Sequence, residues 1–126
     1  MNFLINHFYI FLAIIFGVIS QLIIKWKMNG YSLDNYETLY DKFIFAFSML
    51  LNPYIMVSLV FTLLAGVTWM IAMTKFDISY AYPFTSLGFV LVFVFSIFLY
   101  HEPVNMYKII GVLLIIAGIA VSSRGM

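Results

Sequence analysis

Few residues in this chain can do chemistry, and those few recur at helical spacing. Ser20, Gln21 and Lys25 share a face with Ala13 and Gly17, in the i, i+4, i+7, i+8, i+12 pattern of one side of a helix. Ser58, Thr62, Ala65, Gly66, Trp69 and Met73 make a second such stripe, and Tyr82, Thr85, Ser86, Phe89 and Ser96 a third. Hydroxyls, a primary amide and one ammonium group can hydrogen-bond a polar ligand and balance its charge. Nothing beside them suggests bond cleavage. The chain has no H-E-x-x-H and no paired His/Asp cluster at metal-ligand spacing. It has no cysteine, which removes thiolate metal sites, Cys nucleophiles and disulfides together. The expectation is therefore no enzyme, no metal and no cofactor. His7 and His101 sit at the ends of apolar runs, where a solvated, interfacial histidine is expected.

The elements that position these residues follow from composition. Of 126 residues, 65% are hydrophobic and 9% charged, whereas soluble domains average about 45 to 50% and about 25%. Too little polar surface remains to cover a soluble globule, so the solvent must be lipid. Crossing the ~30 Å hydrocarbon layer takes about 20 apolar residues, and four such helices leave only short connections and no room for a separate soluble domain. A net charge of +1 with no basic run gives no footprint for nucleic acid.

The spans are expected at about 8–26, 54–73, 78–100 and 107–121, within a single domain over 1–126. The first is read as a membrane helix and not a signal peptide, because no basic residue precedes it and no small-residue cleavage site follows. Residues 28–42 carry Asp34, Glu37 and Asp41 and form a solvent loop. Asp34 and Glu37 resemble a capping box, and the apolar spacing beyond them predicts an amphipathic helix at the membrane interface over about 35–51. Asn52-Pro53 separates it from the second span. Pro83 lies near the start of the third span, where proline costs little.

Four helices put both termini on one side. Lys25, Lys27, Lys42 and Lys108 fall on the opposite side, against Lys75 and Arg124 on the side of the termini. This bias favours termini outside, yet it is small enough to suit insertion in both orientations, as an antiparallel two-fold dimer requires.

Helices in lipid associate through small residues and interhelical hydrogen bonds. The three stripes therefore serve either packing or a partly polar cavity, and the sequence leaves both open. Gln21 is the stronger candidate for substrate contact, because an amide deep in hydrocarbon needs partners. Lysines at span ends usually snorkel to the headgroups, but Lys25 prolongs the Gly17, Ser20, Gln21 stripe and so points toward the cavity, where it can meet an anionic phosphate. Gly111, Ile115, Gly118 and Ser122 form a small-residue seam on the fourth span, suited to a dimer interface. No ionisable residue lies near any span centre, so no buried carboxylate relay for protons is visible.

From Ile78 to Ser123 the chain resembles the small multidrug resistance branch of the drug/metabolite transporter (EamA-like) superfamily, and most of all the subunits of the flippase for aminoarabinose linked to undecaprenyl phosphate. The likeness is carried by Ala81-Tyr82-Pro83, by Ser86-Leu87 before Phe89-Val90, by His101 to Val104 (HEPV), and by GVLLIIAGI ending at Ile119. That last segment is similar to the fourth-helix dimerisation motif of the small exporters. The first helix matches more loosely, through Val18-Ile19 and Lys25. In drug-exporting members a glutamate on this helix binds a cation and exchanges it for protons; aligned on Lys25, that position here is Gly17. The flippase subunits share the absence. The segment 35–51 is longer than the minimal exporters have.

The resemblance implies an all-α integral membrane protein with four transmembrane helices, an interfacial helix between the first two, and dimerisation through the fourth at Gly111, Ile115 and Gly118. It implies transport of an undecaprenyl-phosphate-linked sugar or a similar anionic glycolipid across the bacterial inner membrane, by a homodimer or with a related four-helix partner. Ser20, Gln21, Trp69, Tyr80, Tyr82 and Ser86 would then supply hydrogen bonds or stack on sugar rings. Lys25 would balance the phosphate, and Glu102 would accept from sugar hydroxyls or an amine, unless it only caps the fourth helix. Two alternatives stay open: an exporter of small cationic or amine compounds on the same fold, and an assembly partner that transports nothing.

Overall fold

Inside lipid an apolar run must satisfy its own backbone, and a helix does so within a single segment. The computed structural model, which describes residues 2–31 and 36–125, is built accordingly. Its helices are α1 (Asn2–Met28), α2 (Leu39–Met49), α3 (Pro53–Met73), α4 (Ile78–Ala81), α5 (Ser86–Tyr100) and α6 (Met106–Ser122), with no strand among the described residues. Tight 3-10 turns join α4 to α5 (Tyr82–Thr85) and follow α6 (Ser123–Gly125). Four stretches are long and apolar enough to cross a bilayer: Phe3–Met28, Pro53–Met73, Ile78–Tyr100 and Met106–Gly125. This is a multi-pass membrane protein with the four-span architecture that its composition demands.

Two elements differ from expectation, each for a local reason. Helix α1 begins at Asn2, well before residue 8. His7 does not mark a solvated end: it is buried, its Nδ1 2.7 Å from the Phe3 carbonyl and its Nε2 2.8 Å from the Tyr80 hydroxyl. With both ring nitrogens engaged, the helix runs through it. The third span is likewise not one continuous α-helix. Pro83 lies beyond the first turn, where its ring crowds the preceding carbonyls and its missing N–H breaks the ladder. The backbone tightens into the 3-10 turn there, and the Ser86 N–H turns to the Pro83 carbonyl.

Caps explain the remaining boundaries. Helix α2 starts at Leu39 because Thr38 is extended and its hydroxyl accepts the Asp41 N–H at 3.2 Å. The expected box at Asp34 lies outside the described residues. Asn52 and Asn105 cap α3 and α6 in the same way, accepting from the Tyr54 and Lys108 N–H groups, each at 2.9 Å.

Helix α1 is the pillar. Its Ile10, Ile14 and Val18 are buried in one cluster with Ala72 of α3, Tyr80, Ala81 and Phe84 of the third span, and Ile119 of α6. On the same side, Gly88 of α5 lies so close that a β-carbon there would touch Ile14 and Val18 at 3.6 and 3.7 Å. The core thus sits toward the end of the bundle that holds both termini. Helix α6 is peripheral, burying Val112 and Ile119 and turning Ile110, Leu113, Leu114 and Val121 outward.

Candidate functional site

Between α1, α3 and the third span lies a cleft of about 530 Å³. Small residues make the room: a β-carbon on Gly17 of α1 or Gly66 of α3 would meet nothing within 4 Å. Ile14, Val18, Phe89 and Val92 give the walls an apolar surface, and Trp69 adds an indole. Two other polar side chains reach the cleft, Gln21 and Thr85. The Thr85 hydroxyl is engaged, donating to the Tyr82 carbonyl at 2.6 Å. The exposed amide of Gln21 is therefore the principal polar group that these walls present.

Residues that share a stripe in sequence separate in space. Ser20, next to Gln21, turns away from the cleft; it is 1% exposed and its hydroxyl meets that of Thr62 at 2.6 Å across the α1–α3 crossing. Ser58 and Thr62 donate to the carbonyls of Ile55 and Ser58 at 2.6 and 3.0 Å, as hydroxyls in apolar surroundings do. The α3 stripe thus divides into a packing part, Ser58 and Thr62, and a cleft part, Ala65, Gly66 and Trp69. Tyr82 stands beside Trp69, its ring centroid 6.2 Å away at 77°. Tyr80 faces elsewhere, buried against His7. Ser86 is half-buried and outside the cleft lining.

One helical turn beyond Gln21, at the end of α1, Lys25 meets Glu102, its Nζ 3.8 Å from Oε1. The local backbone explains how Glu102 arrives there. His101 ends α5 in the left-handed region, at φ 53°, and the Glu102 N–H folds back to the Ser96 carbonyl at 3.4 Å. Tyr100 ties the same two elements, donating to the Leu22 carbonyl at 2.5 Å. Beside it Lys27 places its ammonium 4.9 Å from the Tyr54 ring centroid. This end of the bundle therefore gathers two lysines, a carboxylate and aromatic rings within reach of the headgroup region.

The structure brings together Gln21 and Trp69 on the cleft wall with Tyr82 at its side, and it brings Lys25 to Glu102. It separates Ser20, Tyr80 and Ser86 from them. Gly111 and Gly118 on α6 face open space and Ile115 packs on the core cluster, which is compatible with a further helix against this edge. The pair His7 and Tyr80 escaped sequence reasoning; the only hint was two polar side chains near span ends on the same side of the membrane.

Comparison with known proteins agrees with this architecture. The profile of the EamA-like transporter family matches residues 5–124. A probable 4-amino-4-deoxy-L-arabinose-phosphoundecaprenol flippase subunit ArnE of Pseudomonas fluorescens is 36% identical over 70 residues, covering 55% of this chain and 60% of that protein. The corresponding protein of Enterobacter sp. is 39% identical over 62 residues, 49% of this chain and 58% of its own length. That of Escherichia coli O45:K1 is 40% identical over 58 residues, 46% and 52%. The matched stretch thus spans only slightly more than half the length of these relatives. No solved structure matches the chain significantly.

Proposed function

The chain belongs to the EamA-like transporter family, and from that premise we propose that it is a flippase subunit moving an undecaprenyl-phosphate-linked sugar, or a similar anionic glycolipid, across the bacterial inner membrane. The observation that carries this reading is the cleft between α1, α3 and the third span, mostly apolar, with Gln21 as its principal polar group and one turn from the Lys25–Glu102 pair. Such a cleft suits a ligand with a long apolar tail and a compact polar head: the walls accept the tail, and the head meets an amide and then a charge pair. The names of the relatives support the same substrate class. Gly17 stands in the cleft wall where the resemblance places the exporters' glutamate, so a cation would find no carboxylate there.

On this reading α2 lies along the interface, its Phe43, Ile44 and Phe47 exposed for burial among acyl chains. The working form is a homodimer, or a heterodimer with a related four-helix subunit, assembled on Gly111, Ile115 and Gly118. Reconstituted vesicles test the path. Gln21→Ala and Lys25→Ala should each slow lipid translocation about tenfold or more, the effect of losing one hydrogen bond to a charged group, while the protein stays folded. Normal translocation by both variants would exclude this path, and proton-driven uptake of a cationic dye would favour an exporter instead.

A further inference from the structure

Lys25 and Lys27 share the last turn of α1, yet they face different neighbours. At about 100° per residue they stand about 80° to either side of Gly17, a residue of the cleft wall. Their contacts agree with that geometry. Lys25 meets Glu102, which follows α5, and Lys27 meets Tyr54, in the first turn of α3. The two ammonium groups thus flank the line along which α1 runs from Gln21 to its end, and their residues lie only about 6 and about 9 Å beyond Gln21 along the helix axis.

Their charges are held differently. Lys25 is exposed and shares its charge with a carboxylate. Lys27 is half-buried, its Nζ 4.9 Å from the centroid of the Tyr54 ring and 6.0 Å from that of Trp26. Those two rings meet edge to face at 5.0 Å and 81°. A ring face attracts an ammonium without neutralising it, and among the described residues Lys27 has no carboxylate within 4.0 Å. A lysine that only anchors a helix extends its head into water; this one is folded over the neighbouring helix. The negative end of the α1 dipole and the positive end of the α3 dipole lie together here and offset each other, which leaves two ammonium groups against one carboxylate.

We propose that Lys27, seated on Tyr54, is a second ligand for the phosphate of a lipid whose tail lies in the cleft, and that its charge is the one free before the lipid arrives. A phosphate between the two lysines receives an ammonium from each side, Lys27 on the α3 side and Lys25 on the side of the third span. The Tyr54 ring holds the Lys27 stem back from solvent, so less side-chain entropy is lost when the lipid binds. The inference rests on the transport reading for the class of ligand alone, and its test measures binding and not transport, so the two can fail separately.

The experiment titrates geranylgeranyl phosphate into the full chain held in nanodiscs of neutral phosphatidylcholine. Lys27→Gln should bind about tenfold more weakly and with a shallower dependence on salt. Lys27→Arg, which stays charged and stacks on a ring, should restore most of the affinity. Tyr54→Phe should bind like the wild type and Tyr54→Leu about threefold more weakly, the ring face being what seats the ammonium. Inorganic phosphate or phosphatidylglycerol should displace the probe only at far higher concentration; displacement by either at the concentration of the probe would assign the lysines to free phosphate or to bulk lipid and overturn the proposal. Unchanged affinity and salt dependence in Lys27→Gln would overturn it too, and weakening by Lys25→Ala in the same assay would show that the transport reading survives. Weaker binding by Lys27→Gln, in a protein that moves no lipid across vesicles, would uphold the inference and overturn that reading.

Discussion

On the proposed reading, replacing Glu102 with glutamine separates the ion pair of Lys25 from its role toward a phosphate. In the structure the ammonium lies 3.8 Å from the carboxylate, with 53% and 36% of the two side chains exposed. At that separation Coulomb's law gives about 1 kcal/mol in water and about 4 kcal/mol at an effective dielectric of about 20. Exposure and two flexible stems reduce the net value to below about 1 kcal/mol. The pair therefore contributes little to holding α1 against the third span, and Tyr100 bonded to Leu22 remains in the variant. Glu102→Gln should leave thermal unfolding in detergent nearly unchanged.

Its effect on ligand has the opposite sign from that of removing the lysine. Freed from the carboxylate, Lys25 can turn wholly to a phosphate, so affinity for an unglycosylated polyprenyl phosphate should rise, by no more than about fivefold for ~1 kcal/mol released. Lys25→Ala should lower it by about tenfold or more, the usual cost of a lost hydrogen bond to a charged group. The double variant should behave like Lys25→Ala, because Glu102 acts only through the lysine. Binding to protein in nanodiscs, measured at low and moderate salt, reads all three, and the gain should shrink with salt. A lipid without sugar gives the carboxylate nothing else to hold. Weaker binding by Glu102→Gln, or a gain that persists in the double variant, would refute the reasoning.

Gly66→Leu directs a side chain into the cleft from a position where a β-carbon meets nothing within 4 Å; expression and unfolding should be preserved and lipid translocation lost, and translocation at the wild-type rate would place the path elsewhere. Ser20→Ala should lower stability by about 0.6 kcal/mol and at most about 1.7 kcal/mol, the range for interhelical bonds in membranes, with Thr62→Ala adding little once its partner is gone and lipid affinity unmoved in both. Gly118→Leu should leave the chain folded but separate a dimer into monomers on native mass spectrometry, and an unaffected dimer would remove α6 from the interface.

Architecture is legible in this sequence where one physical effect dominates. Apolar runs longer than a bilayer is thick have no alternative to helix, and Asn52-Pro53, read as the break before the second span, is where the structure caps and starts α3. Legibility ends where rotation about a helix axis decides. Ser20 and Gln21 are neighbours about 100° apart, so both belong to a broad polar stripe, and periodicity cannot say which faces α3 and which the cleft. The answer depends on the partner: the Thr62 hydroxyl meets Ser20, while Ala65 and Gly66 line the space beside Gln21. Pro83 shows the limit differently, since its cost turns on lying just past the first turn and not within it. His7 could not be assigned from sequence because its acceptor and donor, Phe3 and Tyr80, come from its own previous turn and from a span 73 residues away.

The polar groups divide by how they are satisfied, and that division bears on function. Ser20, Ser58, Thr62, Thr68 and Ser96 all close hydrogen bonds inside the bundle, so they ask nothing of a ligand. Gln21 does not lie in such a seam; it opens on a cleft whose other walls are hydrocarbon and glycine apart from the Trp69 indole and the Thr85 hydroxyl, which is already bonded. An amide facing acyl chains without a partner is costly, while the apolar walls around it face them at no cost. On the proposed reading the cleft at Gln21 is thus where a ligand completes the subunit's membrane-embedded surface. Whatever fills the cleft must bring a polar group to the depth of Gln21 and an apolar one to its walls, a demand that a lipid with a polar head meets in a single molecule.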